Sequence, residues 1–405
     1  MKREGWLLVL GVAAAQVVSW GSIYYSFSLF VVPMERELGW SRPQLNAALS
    51  LGLLTAAFSA YPIGACIDRY GGRGVMTAGS ILGAILLAAW ALIDAPWMLY
   101  AVWAGLGVAL AATLYEPAFA VMTRRFPEDY RVRITAVTLI GGFASTVFIP
   151  LTQLFIVLLG WRHALLALAL CNVAVCVPVH ALLLRDEPRR ASGAVDGAGS
   201  DAVMRRALRH PVFWGLAVAF TAYYAAFSAM TFHVIPLLTE RGLSMSVIVG
   251  AIAVVGPAQV AGRVVLFALH GRLTTAAAGA IAMIAFPLSV LVLLLFPASE
   301  YALFAFALLY GAANGIITIV RGTAVPELMW REGYGAINGA LTLPGNIAKA
   351  LAPFGAAALW SVAGYGAVLW AVIGSGALAA VLFVRTAAHA SRRRISERAA
   401  GIAAD

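Results

Sequence analysis

Charge is scarce in this chain. Asp, Glu, Lys and Arg make up 11% of its 405 residues, against roughly a quarter in soluble domains, so a soluble fold is not expected. Cysteine is scarcer still. Cys66, Cys171 and Cys176 all fall inside apolar segments, with no metal-ligand spacing among them. Neither a disulfide nor a zinc site is expected, and the chain shows no sign of another metal or cofactor. Phosphate-loop, HExxH and GxSxG patterns are absent from plausible contexts. No nucleophile–base set is visible, so an enzyme is not expected.

What is abundant is hydrophobicity, at 62% of residues. Apolar runs of about 20 residues recur along the whole length, enough for a helix to cross a hydrocarbon core of about 30 Å. A β-barrel would show short alternating segments instead. The expected fold class is an all-α membrane protein. Twelve helices are predicted, near 6–32, 45–66, 74–93, 97–122, 134–159, 164–184, 211–238, 245–269, 276–296, 301–325, 335–360 and 364–385. The first could pass for a signal peptide, but its apolar run continues through FSLFVV and reads as an uncleaved helix. One long polar stretch, residues 185–210, is rich in Arg, Gly, Ala and Ser and reads as a linker. The expected organisation is an N-terminal bundle over 1–184, the linker, a C-terminal bundle over 211–385 and a basic tail over 386–405.

Lys and Arg set the expected orientation. They crowd into the N-terminus, DRYGGR, TRRFPEDYRVR, the linker and the tail, with Arg272 and Arg331 on the same side. The opposite connections carry only Arg36, Arg42, Arg162 and Arg241. Positive residues stay cytoplasmic, which places both termini and the linker there, in a bacterial-type inner (plasma) membrane. The net charge of +10 therefore needs no nucleic acid. Its basic loops suit anionic lipid headgroups.

Two segments half a chain apart match. VVPMERELGWS (31–41) and VIPLLTERGLS (234–244) share Val, Pro, Gly and Ser at a constant offset of 203 residues, and Pro150 matches Pro353 at the same offset. The chain reads as two copies of a six-helix unit, and the repeated segment is the corner after each copy's first helix.

Three cations, Arg263, Arg321 and Lys349, and one acid, Glu116, fall inside predicted helices. An ionised side chain at mid-bilayer costs about 2.5–3.5 kcal/mol on insertion scales. An excess of buried positive charge calls for an anion, and a bound carboxylate would supply it. Asn338, Thr342, Asn346 and Lys349 share one face of the eleventh helix by their spacing. Arg263 lies one turn from Gln259, and its planar fork suits a carboxylate. Arg321 follows Asn314 and Thr318 on the tenth helix. It reads either as a ligand contact or as a partner of Glu116, the position matching it at an offset of 205. Glu116 is the acid available for proton coupling, with a fixed ion pair as its alternative role. Tyr24, Tyr25, Tyr223, Tyr224 and Phe227 are candidate pocket walls, and His233 reads as structural.

GACIDRYGGR (64–73) resembles the G-x-x-x-D-R-x-G-x-R loop signature of major facilitator transporters, matched by Gly64, Asp68, Arg69, Gly71 and Arg73. With two six-helix halves and a central linker, the resemblance spans essentially the whole chain. It implies two pseudo-symmetric bundles, a monomer, and transport by alternating access with the site between the halves. It also implies that Asp68, Arg69 and Arg73 gate through a charge network at cytoplasmic helix ends. The second-half loop LHGRLTT lacks the acid. More narrowly, YYSFSLFVVPMERELGWSR resembles bacterial monocarboxylate and oxalate–formate transporters. That resemblance implies carboxylate binding by Arg263 and Lys349. Animal monocarboxylate transporters carry an Asp where this chain has Gln259 and a Lys in the first helix, which is missing here. The expected function is secondary transport of a small organic anion, a monocarboxylate first, with protons or by exchange. The alternatives are a drug or arsenical exporter on the same fold, which for cationic drugs should show an acid excess instead, and a transport-inactive sensor, which should carry a soluble output domain.

Overall fold

Two helical runs, Tyr130–Leu183 and Tyr334–Arg392, hold 54 and 59 residues. At 1.5 Å per residue each would be about 80–90 Å long, far more than one crossing of a bilayer needs. In the computed structural model each run leaves helical backbone at a glycine, Gly160 (φ 76°, ψ 162°) and Gly364 (φ 72°, ψ 177°), and the first is also broken at Gly142 and Phe143. That backbone conformation costs glycine little and any other residue much more. The chain turns on one residue where the sequence predicts a short loop.

The structure describes residues 2–184, 197–269, 272–297 and 299–399. Ten apolar runs are long enough to cross a membrane, and the two glycine breaks raise the crossing segments to twelve. They are α1 Gly5–Leu38, α2 Gln44–Tyr70, α3 Gly72–Trp90, α4 Pro96–Arg125, α5 130–159, α6 161–183, α7 Pro211–Glu240, α8 Ser246–Ala268, α9 Thr275–Leu295, α10 Glu300–Leu328, α11 334–363 and α12 365–399. No strand occurs among the described residues. The linker is not featureless: Gly197–Leu208 is helical, with Val203, Met204 and Ala207 buried. Its residues 185–196 lie outside the described residues, as do 400–405 of the tail. The rest of the tail continues α12 as helix to Ala399.

Contacts group the chain into two compact units. One holds Met1–Met204 with Glu332–Leu343, the other Arg205–Arg331 with Pro344–Asp405. The sequence halves do not anticipate the transfer of the start of α11 to the first unit. The first unit is built around Phe27, Phe30, Trp90 and Trp103, whose rings meet at centroid distances of 4.9–5.9 Å. The second packs Tyr223, Phe227, Phe286, Phe306 and Tyr310 into a comparable aromatic core.

Both units repeat the same devices. In each corner a glycine ends the first helix in left-handed backbone, Gly39 (φ 70°) and Gly242 (φ 80°), as a helix C-terminus favours. Serine then caps the next helix. Ser41 forms a capping box with Gln44, and the Ser244 hydroxyl accepts from the Val247 amide. An acid 203 residues apart accepts an indole N–H in each unit, Glu37 from Trp161 and Glu240 from Trp360. Arg162 donates to the carbonyls at the end of α3, Ala91 and Ile93, and Arg241 to Leu293 at the end of α9. Partial burial lowers the pKa of Arg241, though an arginine stays charged. A glycine seam recurs too. A Cβ on Gly107 would lie 2.1 Å from the Gly52 carbonyl oxygen, and one on Gly311 2.5 Å from that of Val255. So α2 meets α4, and α8 meets α10, backbone to backbone, as small residues allow in membranes.

Candidate functional site

In the second unit, α7 and α11 are joined at Lys349. The Ser228 hydroxyl donates to the Lys349 carbonyl at 2.7 Å. One turn earlier on the same face of α7 lies Tyr224, and the Lys349 Nζ stands 4.0 Å above its ring centroid. Gly345, one turn before Lys349, leaves room for that ring. A Cβ there would be 3.3 Å from the Tyr224 Cδ2. The Arg321 guanidinium, from α10, lies 5.9 Å from the same centroid. Two of the three sequence-predicted cations thus converge on one aromatic ring, an arrangement worth about 0.5–2 kcal/mol per cation depending on desolvation.

Arg263 reaches the interior from α8 and is 6% exposed, so the protein itself covers it. Its helix crosses α10 at Gly315, where a Cβ would come 2.2 Å from the Gln259 carbonyl oxygen, and at Gly262, 2.6 Å from that of Ala312. This close crossing brings the Gln259 Oε1 to the Asn314 Nδ2, which donates at 3.3 Å. Thr318 bonds back to the Asn314 carbonyl. Asn346 is half-buried on α11. Of the aromatic candidates here, Tyr223 and Phe227 belong to the aromatic core. Phe227 stacks on Tyr310 at 4.6 Å, and the Tyr310 hydroxyl donates to the Phe227 carbonyl. His233 hydrogen-bonds the Pro353 carbonyl.

The first unit holds Glu116. α4 is broken just before it, at Leu114 (φ −80°, ψ −154°), so that Glu116 stands in the first turn of a second segment, Tyr115–Arg125. Facing the break, α1 widens into a π-helical stretch, Trp20–Tyr25, a local form that concentrates at functional sites. Tyr24 and Tyr25 are half-buried there, 5.3 Å apart and edge to face. Trp20 joins them to Tyr115. Gln16, also on α1, donates to the Thr113 and Leu114 carbonyls at 2.7 and 3.3 Å. It was not among the sequence candidates, yet it is the one Gln, Asn or charged residue in the run 6–32. Such a residue in a membrane helix calls for a partner.

The GACIDRYGGR loop makes a second cluster in this unit. Asp68 accepts from the Gly335 and Ala336 amides, at 3.0 and 2.9 Å, at the start of α11. A carboxylate on a helix N-terminus is stabilised by unpaired N–H groups and the helix dipole. Arg124 donates to the Ile67 and Asp68 carbonyls, closing the C-terminal end of α2. Arg69 lies over the Tyr70 ring, and Arg73 is exposed. Only glycine permits the approach. A Cβ on Gly64 would sit 2.0 Å from the Gly335 oxygen, and one on Gly339 2.3 Å from that of Ala60.

Comparison with known proteins agrees with this architecture. The Major Facilitator Superfamily profile matches residues 12–294, more than half of the chain. Monocarboxylate transporter 13 of Rattus norvegicus is 27% identical over 337 residues, covering 80% of this chain and 75% of that protein. The oxalate:formate antiporter of Oxalobacter formigenes is 26% identical over 247 residues, 60% of this chain and 57% of its own. An uncharacterized 38 kDa protein of Thermoproteus tenax is 31% identical over 229 residues, and the chain spans about half of its length. Among solved structures, the FucP transporter in its outward conformation superposes with a TM-score of 0.75 at 15% identity, covering 93% of this chain and 97% of that one. The human organic anion transporter MFSD10 gives 0.72 at 17%, covering 94% and 99%. The matching profile, the two repeated bundles and the DRYGGR loop lead to one conclusion: the chain belongs to the Major Facilitator Superfamily and is a multi-pass membrane transporter rather than an enzyme.

Proposed function

We propose that this transporter carries a small organic anion, a monocarboxylate foremost, by alternating access. The observation that carries the reading is the convergence of Lys349 and Arg321 on Tyr224, with Arg263 buried on α8 of the same unit. A pocket supplied with cations attracts a carboxylate and repels the cationic drugs of an exporter. The matches to a monocarboxylate transporter and an oxalate:formate antiporter support the same class. In this reading Arg263 and Lys349 hold the carboxylate, Asn314, Asn346 and Gln259 add hydrogen bonds, and Arg321 adds charge. Tyr24, Tyr25, Tyr223, Tyr224 and Phe227 shape the apolar surroundings. Glu116 takes up the coupled proton, and Asp68, Arg69 and Arg73 gate. The protein works as a monomer in a bacterial-type inner membrane, termini inside, its basic loops on anionic lipid.

Exchange of anions without protons is the second reading. It is favoured by Gln259, an amide bonded to Asn314 at the position where animal relatives carry an acid.

A thermal-shift screen of the purified protein tests the substrate class. L-lactate, formate and oxalate are compared with a cationic dye. Ligand at 100 times its Kd stabilises by about 2.7 kcal/mol, so a carboxylate should raise the midpoint by several degrees. Stabilisation by the dye alone would overturn the reading in favour of an exporter.

A further inference from the structure

The sequence TLYEP contains the cause of the break in α4. A continuous helix would have residue 117 donate its amide to the Thr113 carbonyl. Residue 117 is proline, which has no N–H and whose ring crowds the carbonyl four residues back. The backbone yields at Leu114, and two carbonyls are left in poor supply. Thr113 has no helical donor, and Leu114 receives the Ala118 amide only at 3.3 Å. Gln16, fully buried on α1, fills both places with its Nε2. Its Oε1 has no hydrogen-bond partner, so this side chain serves the break as a donor alone. Thr113 bonds back to the Ala109 carbonyl, which bends a helix in the same place. Gly141 makes room on α5: a Cβ there would lie 2.7 Å from the Tyr115 hydroxyl and 3.3 Å from the Gln16 Cβ.

The break changes what α4 presents. From Ala109 to Thr123 every residue is buried except Tyr115 and Glu116. Those two open the second segment, at the positive end of its dipole, with Tyr115 against Trp20. We propose that Gln16 is a positioning residue of the transport cycle. Its amide stands in for the N–H that Pro117 lacks, and it holds α4 broken so that Tyr115 and Glu116 face out of a buried stretch. It acts on helix 4 geometry and touches no substrate. The role rests on the transporter reading for its meaning in the cycle, but its structural half can be tested without any substrate.

The test is a double-mutant cycle in the full-length protein in lipid nanodiscs. Gln16→Met keeps the length and removes the donor, and Pro117→Ala restores the helical N–H. Hydrogen–deuterium exchange of peptides spanning 109–120 is the first readout. Losing a buried hydrogen bond should speed that exchange about tenfold in Gln16→Met. In the Pro117→Ala background the same change should alter it less than about twofold, because Thr113 is then served by its own helix. Equal effects in both backgrounds, or no effect in either, overturn the inference. The second readout is L-lactate counterflow in proteoliposomes. A positioning role lowers Vmax several-fold and leaves KM within about twofold. A raised KM at unchanged Vmax would make Gln16 a ligand contact and overturn the role. If L-lactate is not carried at all, the substrate reading fails while the exchange cycle still decides for or against the Gln16 lock.

Discussion

The two units share a scaffold and differ in chemistry. Corner glycines, serine caps, indole-bound acids and backbone seams appear in both, at offsets of 203 or 204 residues. The polar interior does not repeat. In the first unit the broken helix is surrounded by amides and hydroxyls, with Glu116 at the break, and the buried Arg133 and His180 lie elsewhere in the unit. In the second, two cations stand over Tyr224 and a third, Arg263, is buried on α8, beside the Gln259–Asn314 pair. The DRYGGR loop of the first unit also has no acidic counterpart in LHGRLTT. Features that make a membrane bundle pack are kept in both copies, because each copy must satisfy its own backbone in lipid. Features that meet a solute are free to diverge, because one solute needs one set of charges. In the function proposed above, the first unit couples and gates, and the second binds.

The sharpest way to break this division is to remove the cations. Lys349→Ala and Arg263→Ala should each leave the protein folded and weaken the carboxylate by roughly 10- to 150-fold, the equivalent of losing a charge-assisted bond of about 1.5–3 kcal/mol. Normal uptake by either variant would remove that residue from the site. Charge in the first unit should act differently. With one pH unit across the membrane, one-to-one proton symport accumulates substrate about tenfold, since a pH unit is worth about 1.4 kcal/mol. Glu116→Gln should reduce that ratio to about one yet keep counterflow at equal concentrations. Accumulation that survives the change would point to the exchange reading instead.

Gating should respond more modestly. Asp68→Asn replaces a charge by an amide at two backbone donors of α11. It should speed thiol labelling of a cysteine placed at Ala336 by about 5- to 10-fold. Unchanged labelling would mean that the contact does not hold that helix end. The smallest effects should fall on the shared scaffold, and equally. Gly39→Ala and Gly242→Ala each force a side chain into left-handed backbone, costing about 1 kcal/mol. Each should lower the thermal midpoint by about 2–4 °C for a unit of some 200 residues with transport intact. Unequal losses would show that the two corners are not equivalent.

How far the sequence shows all this follows from the same distinction. The corner was legible because its chemistry is local: a glycine that accepts positive φ, then a serine that caps. The cations were legible because charge is conspicuous in an apolar run. The meeting of Lys349 and Arg321 at Tyr224 was not, since the match of Ser228 to the Lys349 carbonyl depends on how α7 and α11 pack. Glu116 was found as an acid, but its place at the start of a new segment was not. The signal lay next to it, in Pro117, and its complement lay about a hundred residues away in Gln16. The turns at Gly160 and Gly364 were expected as loops, because a sequence marks the end of one apolar run and the start of the next without showing that one residue can join them. Helix in the linker, over Gly197–Leu208, was hidden by glycine, serine and alanine.

Those single-residue turns bear on how the protein is made. α5 with α6, and α11 with α12, leave no loop between them. Neither pair has a flexible tether that would let one helix cross the bilayer and hold its neighbour back for later. Entry as a hairpin, with both arms leaving the insertion machinery together, is the route that such a connection suits. Epitopes, protease sites and reporter fusions for mapping topology should be tolerated poorly at Gly160 and Gly364.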